Sequence, residues 1–139
     1  MRQALSRISV VTRGKALHEI TREVRSFVAG EGLATGLLTL FCRHTSASLL
    51  VQENADPDVR ADLLSYFERT APEDPGRYVH DSEGPDDMPA HLRAALTQTQ
   101  ISIPVIEGKM VLGTWQGIYL FEHRRAPHRR DVVAHLIGE

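Results

Sequence analysis

ATGLLTLFC, residues 34–42, runs directly into RHTSASLLV, residues 43–51, and these two stretches say most about the fold. Residues 34–42 are mainly apolar with two threonines and are too few for a long helix, which predicts a strand covered on both faces. The second stretch joins small hydroxyl residues to an apolar tail, as is typical where a strand bends or pairs beside a polar pocket. The sequence therefore predicts two successive strands, with His44 at the end of the first.

The chain before these stretches has the pattern of a strand and then a helix. Apolar and polar residues roughly alternate from Leu5 to Val11, which predicts a strand. Between Ala16 and Ala29 the apolar residues recur at three- and four-residue spacing, which predicts an amphipathic helix ended by Gly30 and Gly32. In that helix His18 would point outward, so we interpret it as a surface residue.

The chain after these stretches predicts two more helices and a set of strands. Asp56 as the N-cap and Pro57 as the first helical residue predict the start of one helix, and Asp87 is well placed to cap another from about Met88 to Gln98. Strand patterns cover residues 101–106 and 110–112, as a hairpin, and residues 117–121 and 131–137. Because strands and helices do not alternate strictly, we predict a single α+β domain over residues 1–139, with mostly antiparallel sheets and about three helices.

Composition excludes several classes of function. The 139 residues include 16 basic and 18 acidic side chains, for a formal charge of −2, so no global field favours nucleic acid or an anionic membrane. The single cysteine, Cys42, cannot form an internal disulfide, which suits a reducing compartment. There is neither a signal-peptide pattern at the N-terminus nor an apolar run of the roughly 20 residues that span a bilayer. We therefore expect a soluble cytoplasmic protein.

The segment from Tyr78 to His91 is the first place to look for chemistry. It is rich in glycine and proline and carries two histidines and four acidic residues: His80, Asp81, Glu83, Asp86, Asp87 and His91. Long irregular loops are usually functional or disordered, and imidazole with carboxylate is the common ligand set of a catalytic divalent metal. A solvated acidic loop is the alternative interpretation, since the spacing matches no fixed ligand motif.

Five blocks of sequence, in order along nearly the whole chain, resemble the signature blocks of the YjbQ family. They are His44-Thr45-Ser46-Ala47-Ser48, Asn54-Ala55-Asp56-Pro57-Asp58-Val59, Ala90-His91, Ile103-Pro104-Val105, and Gly113-Thr114-Trp115-Gln116-Gly117-Ile118 continuing to Glu122. The resemblance implies a compact α+β homotrimer. It also implies a secondary thiamine-phosphate synthase activity, which couples hydroxymethylpyrimidine pyrophosphate to thiazole phosphate and releases pyrophosphate.

The resemblance adds His44 to the candidate metal ligands. His80, His91, His44 and Asp87 then become the predicted metal residues. The histidines are the main ligands, Asp87 is also a helix cap that supports the site, and Asp81 and Glu83 are expected in solvent. Departing pyrophosphate needs Mg²⁺ or basic groups, whereas three imidazoles favour a softer ion such as Zn²⁺. A metal-dependent phosphate-ester hydrolase, and a protein that binds a metal or a phosphorylated metabolite without turnover, stay open as alternatives.

The remaining candidate residues complete a predicted catalytic and substrate-binding set. His44 and Glu122 are the predicted catalytic residues, although Glu122 could instead pair with Arg124 or Arg125. The predicted substrate-binding residues are Thr45, Ser46, Ser48, Trp115, Gln116 and Arg129, with hydroxyls and arginine for phosphate and Trp115 for stacking or for an anchor in the core. No Gly-x-Ser-x-Gly motif surrounds Ser46 or Ser48, which argues against a serine nucleophile.

Overall fold

The computed structural model describes residues 1–139 as two antiparallel sheets and three helices. In chain order the elements are β1 (Arg2–Thr12), β2 (Ala16–Glu19), α1 (Thr21–Glu31), β3 (Thr35–Cys42), β4 (Ala47–Glu53), α2 (Pro57–Thr70), α3 (Asp87–Leu96), β5 (Gln100–Ile106), β6 (Lys109–Met110), β7 (Gln116–Glu122) and β8 (His128–Gly138). The large sheet has the strand order β1-β8-β3-β5-β6 and the small sheet the order β2-β7-β4. The predicted α+β fold with antiparallel sheets and three helices is confirmed.

The core lies where the inner faces of the two sheets meet. Leu38 and Leu40 from the large sheet and Leu49 and Leu120 from the small sheet are completely buried there, and Val24 joins them from α1. Beyond the small sheet, Phe67 of α2 packs edge-on against Phe121 with ring centroids 5.4 Å apart. The small sheet is therefore covered on both faces, by the core and by α2.

The large sheet has only one covered face, which corrects the prediction for β3. Its residues alternate between buried and accessible: Leu38 is fully buried while the adjacent Leu37 and nearby Phe41 are 42% and 48% exposed. Successive side chains of a strand point to opposite faces, and nothing in this chain packs on the outer face of the large sheet. The apolar run in β3 predicted burial on both faces of the strand, but within one chain only the inner face is buried.

The predicted helix from Ala16 to Ala29 is wrong in its first turn. Residues Ala16–Glu19 form β2, which pairs with β7, and the helix begins only at Thr21. The helical spacing of Leu17 and Ile20 is real, but the backbone of this segment gains more by hydrogen bonding to the neighbouring strand, and the Ile20 N–H continues that pairing to the Ile118 carbonyl at 2.8 Å. His18 consequently lies half-buried on a strand, not on the surface of a helix.

The other predicted elements are confirmed with small shifts of their ends. Asp56 accepts a hydrogen bond from the Asp58 N–H at 2.9 Å, and Pro57 is the first residue of α2, as predicted. The predicted cap of α3 is wrong, because Asp87 is already helical and neither it nor Asp86 makes a side-chain cap bond. The hairpin is formed by β5 and the two-residue β6. No helix is both long enough and apolar enough to cross a membrane.

His123, just after β7, is a buried neutral histidine beneath the helices. Its side chain is 1% exposed, Nε2 lies 2.8 Å from Ser48 Oγ, and its ring packs 4.3 Å from that of Phe121. Burial, assisted by the charges of Arg93 and Arg130, lowers the pKa of His123 to about 3. The His123 ring therefore binds a proton much less readily in the folded protein than in the unfolded chain.

We predict that His123 makes the protein acid-sensitive. Since the folded pKa lies below the unfolded one, the unfolded chain binds the extra proton first, and stability falls as the pH drops below about 6.5. Between pH 7 and pH 5 the loss should be about 2 kcal/mol. Urea unfolding of wild type and of His123→Gln, whose amide can still reach Ser48, measures the difference. Parallel stability profiles over that pH range for the two proteins would contradict the prediction.

Candidate metal centre

Four side chains bring potential metal ligands together at the start of α3. His80, Glu83, Asp87 and His91 each offer one ligand atom, and these atoms all lie within 4.8 Å of one another. Asp87 and His91 are four residues apart in α3, so they share one face of the helix, while the other two come from the loop before it. The structure thus brings His80, His91 and Asp87 together as predicted. It also adds Glu83, which we had expected in solvent and whose side chain remains 62% exposed.

Asp87 is the centre of this cluster. Its Oδ2 atom lies 2.6 Å from His80 Nε2 and 2.9 Å from His91 Nε2, although the Asp87 side chain is only 2% exposed. Burial works against the charged carboxylate, but the hydrogen bond from His80 and the neighbouring imidazoles hold the pKa of Asp87 below its ordinary value. In return, the bond to Asp87 raises the pKa of His80. One ionised carboxylate oxygen therefore faces two imidazole nitrogens.

The orientation of His91 suits a metal ligand. Its Nδ1 lies 2.8 Å from the backbone carbonyl oxygen of Thr45. A carbonyl only accepts, so Nδ1 must carry the hydrogen, and Nε2 is the nitrogen turned toward the cluster. A histidine whose second nitrogen donates to a carbonyl is the usual arrangement around bound metals.

Arg124 holds the loop that carries the cluster, whereas the sequence suggested it only as a partner of Glu122. Its guanidinium donates to Asp86 Oδ2 at 3.0 Å, to Asp87 Oδ1 at 2.6 Å and to the Glu83 carbonyl at 3.0 Å. The Arg125 backbone N–H adds a second bond to Asp86 Oδ2 at 2.9 Å. The basic run of residues 123–130 was the available signal, but only the fold reveals which of its arginines faces the acidic loop.

Glu122 has no acceptor capacity left for catalysis. This fully buried carboxylate accepts from Arg130 through two nitrogens, from Thr12 Oγ1 at 2.6 Å, and from the backbone N–H groups of His123 and Arg124 at 3.0 and 3.1 Å. Burial alone would raise its pKa, but these donors hold the pKa of Glu122 below the ordinary value. We therefore assign Glu122 a structural role in place of the predicted catalytic one.

The alternative prediction of an ion pair for Glu122 was correct in kind and wrong in partner. The salt bridge is made with Arg130 of β8, whereas Arg124 pairs with Asp86 and Asp87 and Arg125 pairs with Glu73. The two nearer arginines in sequence leave the end of β7 in a loop, and Arg130 returns to face Glu122 from the neighbouring sheet.

His44 lies near the cluster but outside its group of ligand atoms. Its Nε2 accepts from the Asp131 backbone N–H at 2.8 Å, and burial together with the charge of Arg130 lowers the pKa of His44. The predicted metal-ligand role of His44 is therefore not supported within this chain. Ser46 and Ser48 are buried and already bonded, the first to Arg130 and the second to His123 and Thr97, so neither hydroxyl is free for a substrate.

An open cleft of about 590 Å³ adjoins the cluster and shares His91 with it. Its lining combines residues 41–45 at the end of β3 with His91, Ala94, Ala95 and Thr99. His44 and Thr45, both predicted to act at the site, meet His91 here. His80, the other histidine of the cluster, lines a separate pocket of about 380 Å³.

The other predicted substrate-binding residues lie elsewhere. Trp115 and Gln116 are at the opposite end of β7 from Glu122, about 20 Å away at strand spacing. Trp115 is 62% exposed, so it is not a core anchor, and Gln116 Oε1 accepts from the Gly113 N–H within its own turn. Arg129 is exposed on β8 opposite Val11 of β1. The structure brings none of these three to the cluster.

The fold and the cluster define a small α+β protein with a histidine and carboxylate group of metal-binding type. The profile described as UPF0047 protein YjbQ-like matches residues 6–139, and the chain belongs to this family. It is 51% identical over 138 residues to a UPF0047 protein of Synechocystis, covering 99% of this chain and 94% of that protein, and 44% identical to YjbQ of Salmonella typhimurium, covering 95% and 96%. The predicted family is confirmed.

Solved structures agree with this assignment. A YjbQ/UPF0047 family protein of Clostridium acetobutylicum superposes with a TM-score of 0.87 at 34% identity, covering 95% of this chain and 99% of that one. A protein of Thermus thermophilus gives a TM-score of 0.84 at 36% identity, covering 95% and 99%. The family description names no reaction, so function has to be argued from the site.

We predict that Glu122→Gln destabilises the protein strongly and, once folded, leaves His80, Asp87 and His91 together. The change leaves the buried Arg130 charge uncompensated, which should cost about 3–5 kcal/mol in the free energy of unfolding. Replacing Arg130 as well, as in Glu122→Gln with Arg130→Met, should recover part of that loss. Chemical denaturation measures both. A Glu122→Gln protein of wild-type stability that had lost activity would restore the catalytic role to Glu122.

Proposed function

We propose that this protein is a divalent-metal enzyme in which His80, Asp87 and His91 hold the ion, with Glu83 beside it. The observation that carries the proposal is the convergence of the four ligand atoms within 4.8 Å, with His91 Nε2 turned toward the cluster by the Thr45 carbonyl. Without an ion, Asp87 Oδ2 needs a proton on each of two close imidazole nitrogens. A cation bound between His80, Asp87 and His91 would accept a lone pair from each of these side chains. Neither imidazole would then need a proton on the nitrogen that faces Asp87.

The chemistry of the donor set favours zinc over magnesium. Two imidazoles with a carboxylate suit Zn²⁺ and similar ions, whereas Mg²⁺ prefers a shell of oxygen ligands. When bound, such an ion acts as a Lewis acid toward phosphoryl oxygens and lowers the pKa of coordinated water. The residues of the chain supply the rest: Arg124 holds Asp87 through Oδ1, and the Thr45 carbonyl fixes the ring of His91.

The proposed substrate is a phosphorylated small molecule that enters through the cleft. In the reaction that the family resemblance suggests, hydroxymethylpyrimidine pyrophosphate is coupled to thiazole phosphate as a secondary activity. His44 is held neutral by its lowered pKa, and because Nε2 accepts from Asp131, its hydrogen sits on Nδ1. Its Nδ1 lies 3.5 Å from Nη1 of Arg130, so the ring forms part of the cleft wall and adds no charge to it.

Phosphate-ester hydrolysis is the second candidate, and the exposure of Glu83 favours it. Its carboxylate lies 3.7 Å from His80 Nε2 and is 62% exposed, so water reaches the centre directly. A carboxylate beside a metal-bound water can accept its proton, as hydrolysis requires. Coupling two organic substrates would instead benefit from a site that excludes water.

We predict that His91→Ala abolishes tight metal binding and that His44→Ala does not. His91 contributes a ligand atom to the cluster, whereas His44 does not, so the pair is a matched test of two neighbouring histidines. Metal analysis of both proteins, purified without chelator, gives the amount of bound metal. The gain in Tm on adding Zn²⁺ shows how far metal binding stabilises the folded protein. Wild-type protein without metal, and without any thermal gain from Zn²⁺, would overturn the proposal.

Turnover separates an enzyme from a binding protein. Wild type and His44→Ala are supplied with the pyrimidine pyrophosphate and thiazole phosphate, and separately with a phosphate monoester, in the presence of Zn²⁺. Product formation that falls in His44→Ala, while metal content stays constant, would support catalysis in the cleft. Metal binding without turnover of any of these compounds would favour the binding protein.

We also propose that the protein is a homotrimer, as the family resemblance implies. The support is the uncovered outer face of the large sheet, where Leu5, Leu37 and Ile137 are 71%, 42% and 36% exposed. Apolar side chains grouped on one sheet face mark an interaction surface. A second copy of the same chain would cover it.

We expect light scattering to give three times the chain mass of 15.5 kDa. Leu37→Glu places a charge on the uncovered sheet face and should shift the protein to monomers. Tyr66→Glu is the control, because Tyr66 is 52% exposed on α2 at the opposite side of the molecule, beyond the small sheet. A wild-type monomer, or equal behaviour of the two variants, would contradict the trimer.

A further inference from the structure

We propose that the cleft at the end of β3 is a phosphoryl-binding site in which Arg43 is the cation that grips the substrate. The inference rests on the proposed function, since it identifies the part of the site that would hold the phosphoryl group. It replaces Arg129, the arginine that the sequence indicated, with one that lines the cleft.

Arg43 is the one arginine of the cleft lining, and its guanidinium makes neither a hydrogen bond nor an ion pair within the chain. Two other arginines of this region are already engaged: Arg130 by Glu122 and Ser46, and Arg124 by Asp86 and Asp87. Because those guanidiniums are held by carboxylates, they have little positive field left for a ligand. An anion entering the cleft therefore meets a guanidinium that no side chain of this chain already binds.

The backbone that carries Arg43 is fixed. Its N–H donates to the Asp131 carbonyl at 3.3 Å, and the preceding Cys42 N–H donates to the Thr99 carbonyl at 2.8 Å. The next residue, His44, is tied to the Asp131 N–H. The base of the side chain is thus positioned by two neighbouring strands, and only the guanidinium has to become ordered when a ligand binds.

Two unused hydroxyls line the same cleft. Thr45 and Thr99 are exposed, both belong to the lining, and neither side chain makes a hydrogen bond within the chain. With the planar guanidinium of Arg43, they offer charged and neutral donors from different directions. A tetrahedral phosphoryl group can accept from all of them, whereas a planar carboxylate has fewer lone pairs to offer.

Charge is distributed so that an anion would enter from the cleft and not from the loop. The carboxylates of Glu83, Asp86 and Asp87 belong to the loop and helix start beyond His91, and none of them lines the cleft. Asp131 is the acidic residue closest to the cleft along β8, and it makes no ion pair with Arg43. Repulsion therefore disfavours approach from the loop side, and Arg43 attracts on the other.

The apolar residues of the cleft indicate what kind of body the ligand has beyond its phosphoryl group. Phe41, Ala94 and Ala95 give the cleft an apolar wall, and its volume of about 590 Å³ lies within the range of small-molecule sites. The class of ligand that matches these features is a phosphorylated compound with a small flat apolar body. Its phosphoryl group would lie at Arg43 and its body against Phe41.

The test measures binding of inorganic phosphate and, separately, of acetate by isothermal titration calorimetry. Each anion is titrated into the protein as purified, and again with and without bound Zn²⁺. The variants are Arg43→Gln, which removes the charge, Arg43→Lys, which keeps the charge but loses the planar fork, and Arg129→Gln as the exposed control. We expect phosphate affinity to fall about tenfold in Arg43→Gln, less in Arg43→Lys and not at all in Arg129→Gln.

The outcomes separate this inference from the proposed metal function. Phosphate binding that depends on Arg43 in protein without any metal would support the inference even if the metal site failed. Normal metal content in Arg43→Gln with undiminished phosphate affinity would overturn the inference and leave the metal site standing. Wild type that binds no phosphate at millimolar concentration, or that binds acetate as well as phosphate, would also overturn it.

Discussion

The buried salt bridge between Glu122 and Arg130 joins the two sheets, and the site is assembled around it. Glu122 ends β7 in the small sheet, Arg130 lies in β8 of the large sheet, and both side chains are almost fully buried. Thr12 of β1 adds a third strand to the contact. A buried ion pair is stabilising only when its remaining hydrogen-bonding capacity is satisfied, and here every oxygen of Glu122 has donors.

The consequences of that pair extend to the cluster of His80, Glu83, Asp87 and His91. By accepting from the N–H groups of His123 and Arg124, Glu122 sets the direction in which the chain leaves β7. Arg124 then reaches Asp86 and Asp87 and holds the loop against the fold. Two residues close in sequence therefore connect the core to the site: Glu122 belongs to the buried salt bridge, and Arg124 contacts the solvent-accessible cluster.

Local patterns predicted elements well where local forces decide them. The cap of α2 by Asp56 and the alternation that defines β1 were correct because each depends on neighbours within a few residues. The first turn of the predicted helix at Ala16 failed because β7, a hundred residues away, competes for its hydrogen bonds. In the same way, Glu122 was predicted as a catalytic residue because the sequence does not show that Arg130 returns to face it.

The sequence by itself determined the family, the α+β class and the importance of the segment that holds His80, Asp87 and His91, since periodicity and residue chemistry can be read locally. Only the tertiary structure decided which of the candidates meet. It added Glu83 to the cluster, kept His44 outside it, separated Trp115 and Gln116 from it, and placed Arg43 in the cleft. The physical reason is that a ligand site requires atoms within a few ångströms of one another, and strand pairing across the whole chain sets those distances.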